Sequence, residues 1–167
     1  GFGADLGAEK FLNIKCRKSK IWPSCVVIVA TVRALKMHGG IEKDNLKDEN
    51  IDALKKGIVN LERHIINIKK FGIEPIVAIN HFILDTNHEI KTIQEFCKKI
   101  GVDVSVSKHW SDGGSGAKDL ARKVIKICKK NSLNLKSFDG MSFNPLIDKW
   151  SISNDKSVNY IAKFKKN

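Results

Sequence analysis

Two aromatic residues, Phe82 and Trp110, each follow closely after a segment that is expected to form a β-strand. Phe82 lies two residues beyond the segment 75–80, and Trp110 lies four residues beyond the segment 102–106. Neighbouring strands of a sheet are about 4.8 Å apart, so the two rings could face each other across a flat ligand. Stacking of this kind is worth about 0.5–1.5 kcal/mol beyond burial. The alternative is that both rings only cover the end of the sheet.

Two glycine-containing segments could bind anions. Gly113-Gly-Ser-Gly116 precedes a predicted helix, and free N–H groups at a helix N-terminus attract anions, although a flexible turn is the simpler interpretation. Gly1-Phe-Gly3 lacks the third glycine of a dinucleotide fingerprint. The chain contains no G-x-x-x-x-G-K-[ST] phosphate loop. Asn80-His81 begins a segment distantly similar to a guanine-reading N-K-x-D loop, but histidine replaces lysine and the aspartate comes two residues late.

No arrangement typical of nucleophilic or acid–base catalysis is evident from the spacing. The chain shows no Ser-His-Asp or Cys-His pattern and no pair of carboxylates that stands out. Glu9 and Lys10 could serve an active site, but such neighbours are more typical of a solvated helix face. The four cysteines and five histidines do not follow zinc-ligand spacing. We therefore predict no metal site and reduced thiols.

Alternating helix and strand patterns predict an α/β fold with a parallel sheet and flanking helices. Continuous β-branched runs at 25–31 and 75–80 are typical of strands buried on both faces, and 102–106 alternates like a strand nearer an edge. Helical patterns extend over 4–17, 51–70, 85–100 and 117–129. The order α-β-α-β-α-β-α favours right-handed crossovers between parallel strands.

Ligands of parallel α/β sheets bind beyond the carboxyl ends of the strands. That rule selects four loops, at 1–3, 31–36, 80–85 and 107–116, and the second contributes the cations Arg33 and Lys36. A sheet of three strands has exposed edges, and residues 1–3 look like the loop that leaves a further strand. We therefore expect a piece of a larger α/β domain.

Composition excludes several classes of function. The chain has 167 residues, enough for about one domain, and a net charge of +12. Only four of its 30 basic residues are arginines and the lysines are spread along the chain, so we expect no nucleic-acid partner. No apolar run approaches the ~18 residues of a membrane helix and no signal peptide is evident, so we expect no membrane and a cytoplasmic location.

The pattern changes near residue 131. Residues 131–167 carry serine, asparagine and lysine with scattered aromatic and apolar residues, and no strand or helix period persists. We therefore treat 1–130 as one α/β segment and 131–167 as a divergent tail.

Several long strings resemble the formate–tetrahydrofolate ligase family. They include GFGADLGAEKF at the start, VATVRALKMHGG after the first strand, and W-x-D-G-G-x-G-A at 110–117. The resemblance covers about residues 1–130. It implies a fold related to P-loop NTPases, of which this segment is part. It also implies a reaction in which ATP phosphorylates formate and N10 of tetrahydrofolate then attacks formyl phosphate.

The resemblance also implies roles for individual residues. Phe82 and Trp110 would stack on the pterin, and Ile83 and Val106 would form its apolar wall. Gly1, Phe2 and Gly3 would form the loop near formyl phosphate. The family's N-R-F-P is changed at two positions, with His81 and Ile83 in place of arginine and proline. Loss of a fixed cation and of a rigid residue predicts weaker folate affinity.

The partners implied are formate, tetrahydrofolate and ATP with Mg²⁺, in an enzyme that forms a homo-oligomer at full length. Because the chain lacks a phosphate loop, we expect it to be inactive in isolation. Two alternatives stay open. The chain could be a truncated or degenerate paralogue that only binds a folate-like ligand or a partner subunit. It could also be a lysine-rich structural or nucleic-acid module, whose binding would fall steeply with salt.

Overall fold

The computed structural model describes residues 3–132, and within them the chain forms one parallel sheet. The strands are β1 (Val26–Ala30), β2 (Pro75–Asn80) and β3 (Asp103–Ser107), arranged in the order β1-β2-β3. Val29 is paired with Ala78, which is paired in turn with Ser105. The predicted α/β class, the parallel sheet and the flanking helices are confirmed.

Six α-helical segments accompany the strands. They are α1 (Arg17–Ser19), α2 (Val32–His38), α3 (Ile51–Lys70), α4 (Asn87–Lys99), α5 (His109–Asp112) and α6 (Lys118–Ser132). The side chain of Asn50 caps α3 by accepting from the Ala53 N–H at 2.9 Å. Thr86 and Glu89 form a capping box at the start of α4. These caps satisfy N–H groups that have no partner inside the helix.

The first helix of the described residues, which we call the opening helix, is wider than an α-helix. Gly3–Gly7 and Lys10–Cys16 adopt π-helical geometry and lead into α1. The predicted helical character of this stretch is confirmed. Leu12 and Cys16 are buried in the main core, so the opening helix is fixed by packing.

The two faces of the sheet are covered unequally. One face packs against α3, α4 and the opening helix, with Val77 and Ile79 at the centre of the apolar core. On the other face the Ser105 hydroxyl donates to the Asp119 carboxylate of α6 at 2.6 Å. Val27 and Val29 of β1 point to this second face and are 39% and 65% exposed. Buried parallel strands are normally covered on both faces. Within the described residues, the second face of β1 is left uncovered.

Helix α2 occupies a segment that the sequence predicted to be a loop, and that prediction was wrong. The Thr31 hydroxyl accepts from the Ala34 N–H at 3.1 Å and starts the helix. A Cβ at Gly57 of α3 would lie 1.8 Å from the Leu35 carbonyl oxygen, and one at Gly39 would lie 1.9 Å from the Ala53 carbonyl oxygen. The backbones of α2 and α3 are therefore in direct contact.

The four cysteines are free thiols. Burial raises the pKa of the Cys97 thiol to about 11, and burial is also the main cause that raises Cys25 to a pKa of about 11. Both thiols are therefore protonated at neutral pH. None of the helices in residues 3–132 is both long enough and apolar enough to cross a membrane.

Candidate functional site

The carboxyl ends of the three strands lie together at one edge of the sheet, because all three strands are parallel. Ala30, Asn80 and Ser107 are the last residues of the strands. Helix α2 follows the first strand. We call residues 81–85 the Phe82 turn and residues 108–116 the Trp110 turn; they follow the second and third strands. The edge predicted to carry the site therefore holds the predicted aromatic residues.

The Phe82 turn is closed by one carboxylate. The Phe82 N–H donates to Asp85 Oδ2 at 2.8 Å, and the Asp85 N–H donates to the Phe82 carbonyl at 3.0 Å. Burial raises the pKa of the Asp85 carboxyl, and the bond from Phe82 N–H offsets part of this effect. Three apolar side chains leave the turn toward solvent: Phe82, Ile83 and Leu84.

The Trp110 turn is shaped by glycines. It contains α5 and most of a 3₁₀ segment, Gly113–Ala117. Gly113 has a φ of +57°, and a Cβ at Gly116 would lie 2.5 Å from the Lys108 carbonyl carbon. The Lys108 N–H donates to the Gly116 carbonyl at 3.1 Å. The path of this turn therefore needs glycine at Gly113 and Gly116. That the segment binds an anion stays a prediction.

Two hydrogen bonds join the Phe82 turn to the end of β3 and to the Trp110 turn. The His81 N–H donates to the Ser107 carbonyl at 3.1 Å, and Trp110 Nε1–H donates to the His81 carbonyl at 2.5 Å. Trp110 is 50% exposed and Phe82 is 38% exposed. The residues described contain no direct ring contact between these two side chains, in contrast to Trp22 and Phe71 in the core. The arrangement can present two aromatic surfaces, one from each turn, to a planar molecule.

Two buried polar atoms lie at the end of the central strand. Asn80 Oδ1 and His81 Nδ1 have no hydrogen-bond partner among residues 3–132. Unpaired buried polar atoms are costly, typically about 1–3 kcal/mol each. Both belong to residues that immediately precede Phe82, so they are candidates to bind polar groups of a molecule held at this edge.

Lys36 does not face the edge, and the expectation that it offers a free cation there was wrong. Its ammonium is buried and lies 2.8 Å from Glu89 Oε1, and it donates to the Leu46 and Asp48 carbonyls at 2.9 Å each. Glu89 also accepts from the Thr86 N–H at 3.0 Å. The pair therefore ties α2 to the residue that follows the Phe82 turn.

Comparison with known proteins identifies the family. A sequence model described as formate–tetrahydrofolate ligase matches residues 1–162. The chain belongs to the formate–tetrahydrofolate ligase family. Proteins named formate–tetrahydrofolate ligase are 65% identical over 131 residues in Pelagibacter ubique (strain HTCC1062), 56% over 136 in Granulibacter bethesdensis and 57% over 134 in Roseobacter denitrificans.

These alignments cover most of this chain but little of the relatives. They include 78%, 81% and 80% of the chain, respectively. The chain spans 23% of the Pelagibacter ligase and 24% of each of the other two. The family model extends over most of the predicted tail. Residues 133–167 lie outside the described residues, as do Gly1 and Phe2.

The other residues implied by resemblance to the ligases have separate positions. Gly3, the described member of the formyl phosphate loop, has a φ of +78° and lines a cavity beside β1. Ile83 is 79% exposed on the Phe82 turn. Val106 is paired with Ile79 and packs against the core. The structure thus brings Phe82, Ile83 and Trp110 to one edge, and it places Val106 on the core side of β3.

A group of buried polar residues escaped the sequence analysis. Asn60 and His64 lie on the inner face of α3. With Ala4, Thr31 and His38 they line a cavity of about 260 Å³ at the carboxyl end of β1. The sequence contains little signal of them, because the apolar stripe of α3 is unbroken and both residues lie beside it.

The acidic, histidine and cysteine side chains of the described residues do not come together as a set of metal ligands. Residues 3–132 contain no group of three or more His, Cys, Asp or Glu that could hold a metal ion.

Proposed function

We propose that this chain supplies the tetrahydrofolate side of a ligase site in a longer polypeptide that makes 10-formyltetrahydrofolate. The carrying observation is the pair of exposed rings on adjacent turns, with the Trp110 indole fixed to the His81 carbonyl. A pterin is planar and aromatic, and stacking between two rings is a favourable way to bind it. Ile83 and Val106 remain proposed members of its apolar wall.

The proposed reaction has two steps. Formate attacks the γ-phosphorus of ATP, which gives formyl phosphate and ADP. N10 of tetrahydrofolate then attacks the formyl carbon, the bond from that carbon to the phosphate oxygen breaks, and N10 releases its proton. The first step makes formate electrophilic, since a carboxylate has no good leaving group. The task of this chain is to hold the pterin so that N10 lies near the formyl carbon, which converts the second step into an effectively intramolecular one.

The polar atoms beside the rings support orientation of the pterin. Asn80 Oδ1 is an acceptor, and His81 Nδ1 is a donor or an acceptor depending on its tautomer. The pterin ring carries several N–H donors along one edge. We propose that these two atoms bind that edge while Phe82 and Trp110 hold the faces.

Other parts of the ligase lie beyond what this chain provides. We propose that ATP with Mg²⁺ binds to a phosphate loop elsewhere in the polypeptide, since the sequence contains no such loop. We further propose that the fold is related to that of P-loop NTPases and that the full-length enzyme is a cytoplasmic homo-oligomer. In this proposal Gly1, Phe2 and Gly3 lie near formyl phosphate, and residues 131–167 form a divergent tail. This chain by itself is expected to be inactive.

Trp110→Ala in the polypeptide of full family length tests the proposal. We expect KM for tetrahydrofolate to rise about tenfold, because an aromatic face worth up to about 1.5 kcal/mol is lost. KM for ATP should stay within twofold. Steady-state kinetics with each substrate varied in turn measure both values.

Trp110→Phe is the matched control, because it keeps an aromatic face and removes the indole N–H. It should change KM for tetrahydrofolate less than Trp110→Ala does. Equal increases in KM for ATP and tetrahydrofolate in Trp110→Ala would contradict the pterin site.

One observation favours a second function. Without a phosphate loop, a protein limited to this chain could bind a folate-like ligand or a partner subunit and catalyse nothing. Equilibrium dialysis of the chain alone with tetrahydrofolate distinguishes binding from its absence.

A further inference from the structure

A buried ion pair joins α2 to α4 and lies outside the two aromatic turns. The Lys36 ammonium is 2.8 Å from Glu89 Oε1, and the two side chains are 2% and 0% exposed. We propose that Lys36 and Glu89 are positioning residues, which hold the Phe82 turn so that the Phe82 ring can stack on the pterin. This inference rests on the proposed function, in which the pterin lies between Phe82 and Trp110.

The position of the Phe82 turn depends on how its two ends are attached. All three of its apolar side chains are more than one third exposed. The Asp85 carboxylate closes the turn on itself, because it accepts the N–H of Phe82. At the first end, the His81 N–H donates to the Ser107 carbonyl at 3.1 Å. At the second end, the next residue is Thr86, which is the N-cap of α4.

Glu89 fixes this second end. Its Oε2 accepts the Thr86 N–H at 3.0 Å, and its Oε1 accepts the Asn50 N–H at 3.3 Å. The Thr86 hydroxyl in turn accepts the Glu89 N–H at 3.1 Å. Asn50 is the N-cap of α3. One buried carboxylate therefore binds the backbone that follows the Phe82 turn to the start of the longest helix of the described residues.

Lys36 holds this carboxylate in place. An ammonium group has three N–H donors. The acceptors around Lys36 Nζ are Glu89 Oε1 at 2.8 Å and the Leu46 and Asp48 carbonyls at 2.9 Å each. Every donor of the ammonium therefore has an acceptor, and the group has little freedom to move. The Glu89 carboxylate is thus fixed relative to α2, which follows β1 directly.

Stability alone does not explain why two charges are buried here. Removing charges from water costs free energy that their attraction returns only in part, and apolar residues of similar volume are often as stable. An apolar side chain at position 89 could fill the space, but it could not accept the Thr86 N–H. The ion pair therefore supplies what packing cannot, which is a directional bond to the backbone at the end of the Phe82 turn.

The test compares two variants that both lack the charges, in the polypeptide of full family length. K36M/E89Q keeps an amide oxygen that can accept the Thr86 N–H, whereas K36M/E89M has no acceptor at position 89. We expect kcat/KM for tetrahydrofolate to fall about tenfold in K36M/E89M, since one stacking face is misplaced, and by less than about threefold in K36M/E89Q. KM for ATP should stay within twofold in both.

Phe82→Ala separates positioning of the ring from a general structural role. By itself it should lower kcat/KM for tetrahydrofolate about tenfold, because the stacking face is lost. Adding K36M/E89M to Phe82→Ala should lower the value no further, since no ring is left to misplace. Ile93→Ala is the control for reduced stability, because Ile93 is fully buried on the same helix. It should leave kcat/KM for tetrahydrofolate unchanged at a temperature well below unfolding.

A second pair of variants serves if K36M/E89M does not fold. Thr86→Pro removes the same hydrogen bond from the side of the donor, and the φ of Thr86, −82°, is one that proline can adopt. Thr86→Ala is its control, because both variants lose the hydroxyl and only proline loses the N–H. We expect the loss of about tenfold in kcat/KM for tetrahydrofolate from Thr86→Pro and a smaller one from Thr86→Ala.

Three outcomes would overturn the inference. Equal values of kcat/KM for tetrahydrofolate in K36M/E89M and K36M/E89Q would show that the acceptor at position 89 does not position the turn. A further large loss on the Phe82→Ala background would show that the pair does not act through the ring. An equal loss in Ile93→Ala would leave only the stability of α4.

Failure of the proposed function gives a different result. An unchanged kcat/KM for tetrahydrofolate in Phe82→Ala would refute the pterin site itself. A reduced value in Phe82→Ala together with an unchanged value in K36M/E89M would refute only the positioning role of Lys36 and Glu89.

Discussion

The Phe82 turn and the Trp110 turn hold neighbouring aromatic residues by different means. In the first, a side-chain carboxylate, Asp85, accepts the Phe82 N–H. In the second, two stretches of backbone approach so closely at Gly116 and Lys108 that no side chain fits between them. The Phe82 turn depends on a side chain that titrates, and the Trp110 turn depends on the absence of a side chain at Gly116.

The difference determines which changes each turn tolerates. A carboxylate acceptor can be replaced by an amide of similar shape, but its energetic contribution changes with pH. A backbone contact is indifferent to pH, but every residue other than glycine adds a Cβ. The Trp110 turn should therefore be the more sensitive to substitution, and the Phe82 turn the more sensitive to acid and base.

Gly116→Ala should have the largest effect. Its Cβ would lie 2.5 Å from the Lys108 carbonyl carbon and 2.6 Å from its oxygen, so the backbone must move. We expect the free energy of unfolding to fall by about 2 kcal/mol, within the range of overpacked sites. Urea unfolding followed by Trp fluorescence and circular dichroism measures the change.

Gly114→Ala is the matched control, because a Cβ at Gly114 meets nothing within 4 Å. It should leave the free energy of unfolding nearly unchanged. If the two variants were equally stable, the turn would not depend on the close approach at Gly116.

Asp85→Ala should have a smaller effect, because it removes the acceptor for the Phe82 N–H. We expect a loss of about 1 kcal/mol at neutral pH, the usual value for one hydrogen bond. Asp85→Asn keeps an acceptor oxygen and removes the buried charge, so it should be at least as stable as the unmodified protein at pH 7.

The pH dependence of Asp85 has a definite sign. The raised folded-state pKa means that its contribution to stability is present below the ordinary value of 3.8 and is lost as pH rises through the raised value. Relative to Asp85→Asn, the unmodified protein should thus lose stability between acidic and neutral pH in urea titrations. A difference between the two that is independent of pH would contradict the raised pKa.

Asp119→Asn should have the smallest effect and the opposite pH dependence. Hydrogen bonds from Lys123 and Ser105, in that order, lower the pKa of the Asp119 carboxyl. Its contribution is therefore present above the ordinary pKa of 3.8 and is lost as pH falls through the lowered value. Since the carboxylate is largely exposed, we expect a loss below about 1 kcal/mol at pH 7 in urea unfolding. A loss that grew as pH fell would contradict this sign.

Much of the fold followed from local patterns. The continuous apolar run at 75–80 matches β2. The apolar residues that recur every three or four positions from Ile51 match α3. Helix α2 was missed because seven residues are too few for a clear helical period. Its stability comes from the contact with Gly57, which is distant in sequence and is recognised only once the two helices are packed.

The candidate site was predictable in part. The predicted parallel strands and the positions of Phe82 and Trp110 beyond them placed both residues at one edge. The partner of Lys36 was not predictable, since Glu89 lies on another helix and no local pattern pairs them. Arg33 and Lys47 likewise line one pocket although they belong to different segments, and no local pattern predicts this.

The contact between α2 and α3 also limits how this protein can change over generations. When a large side chain enters a packed core, a second substitution can shrink its neighbour and restore the fit. Gly39 and Gly57 each face a carbonyl of the opposite helix, at Ala53 and Leu35, and a carbonyl cannot be shortened by any exchange of amino acid. No second substitution can therefore compensate for a larger residue at either glycine. We expect variation in this helix pair to occur at other positions.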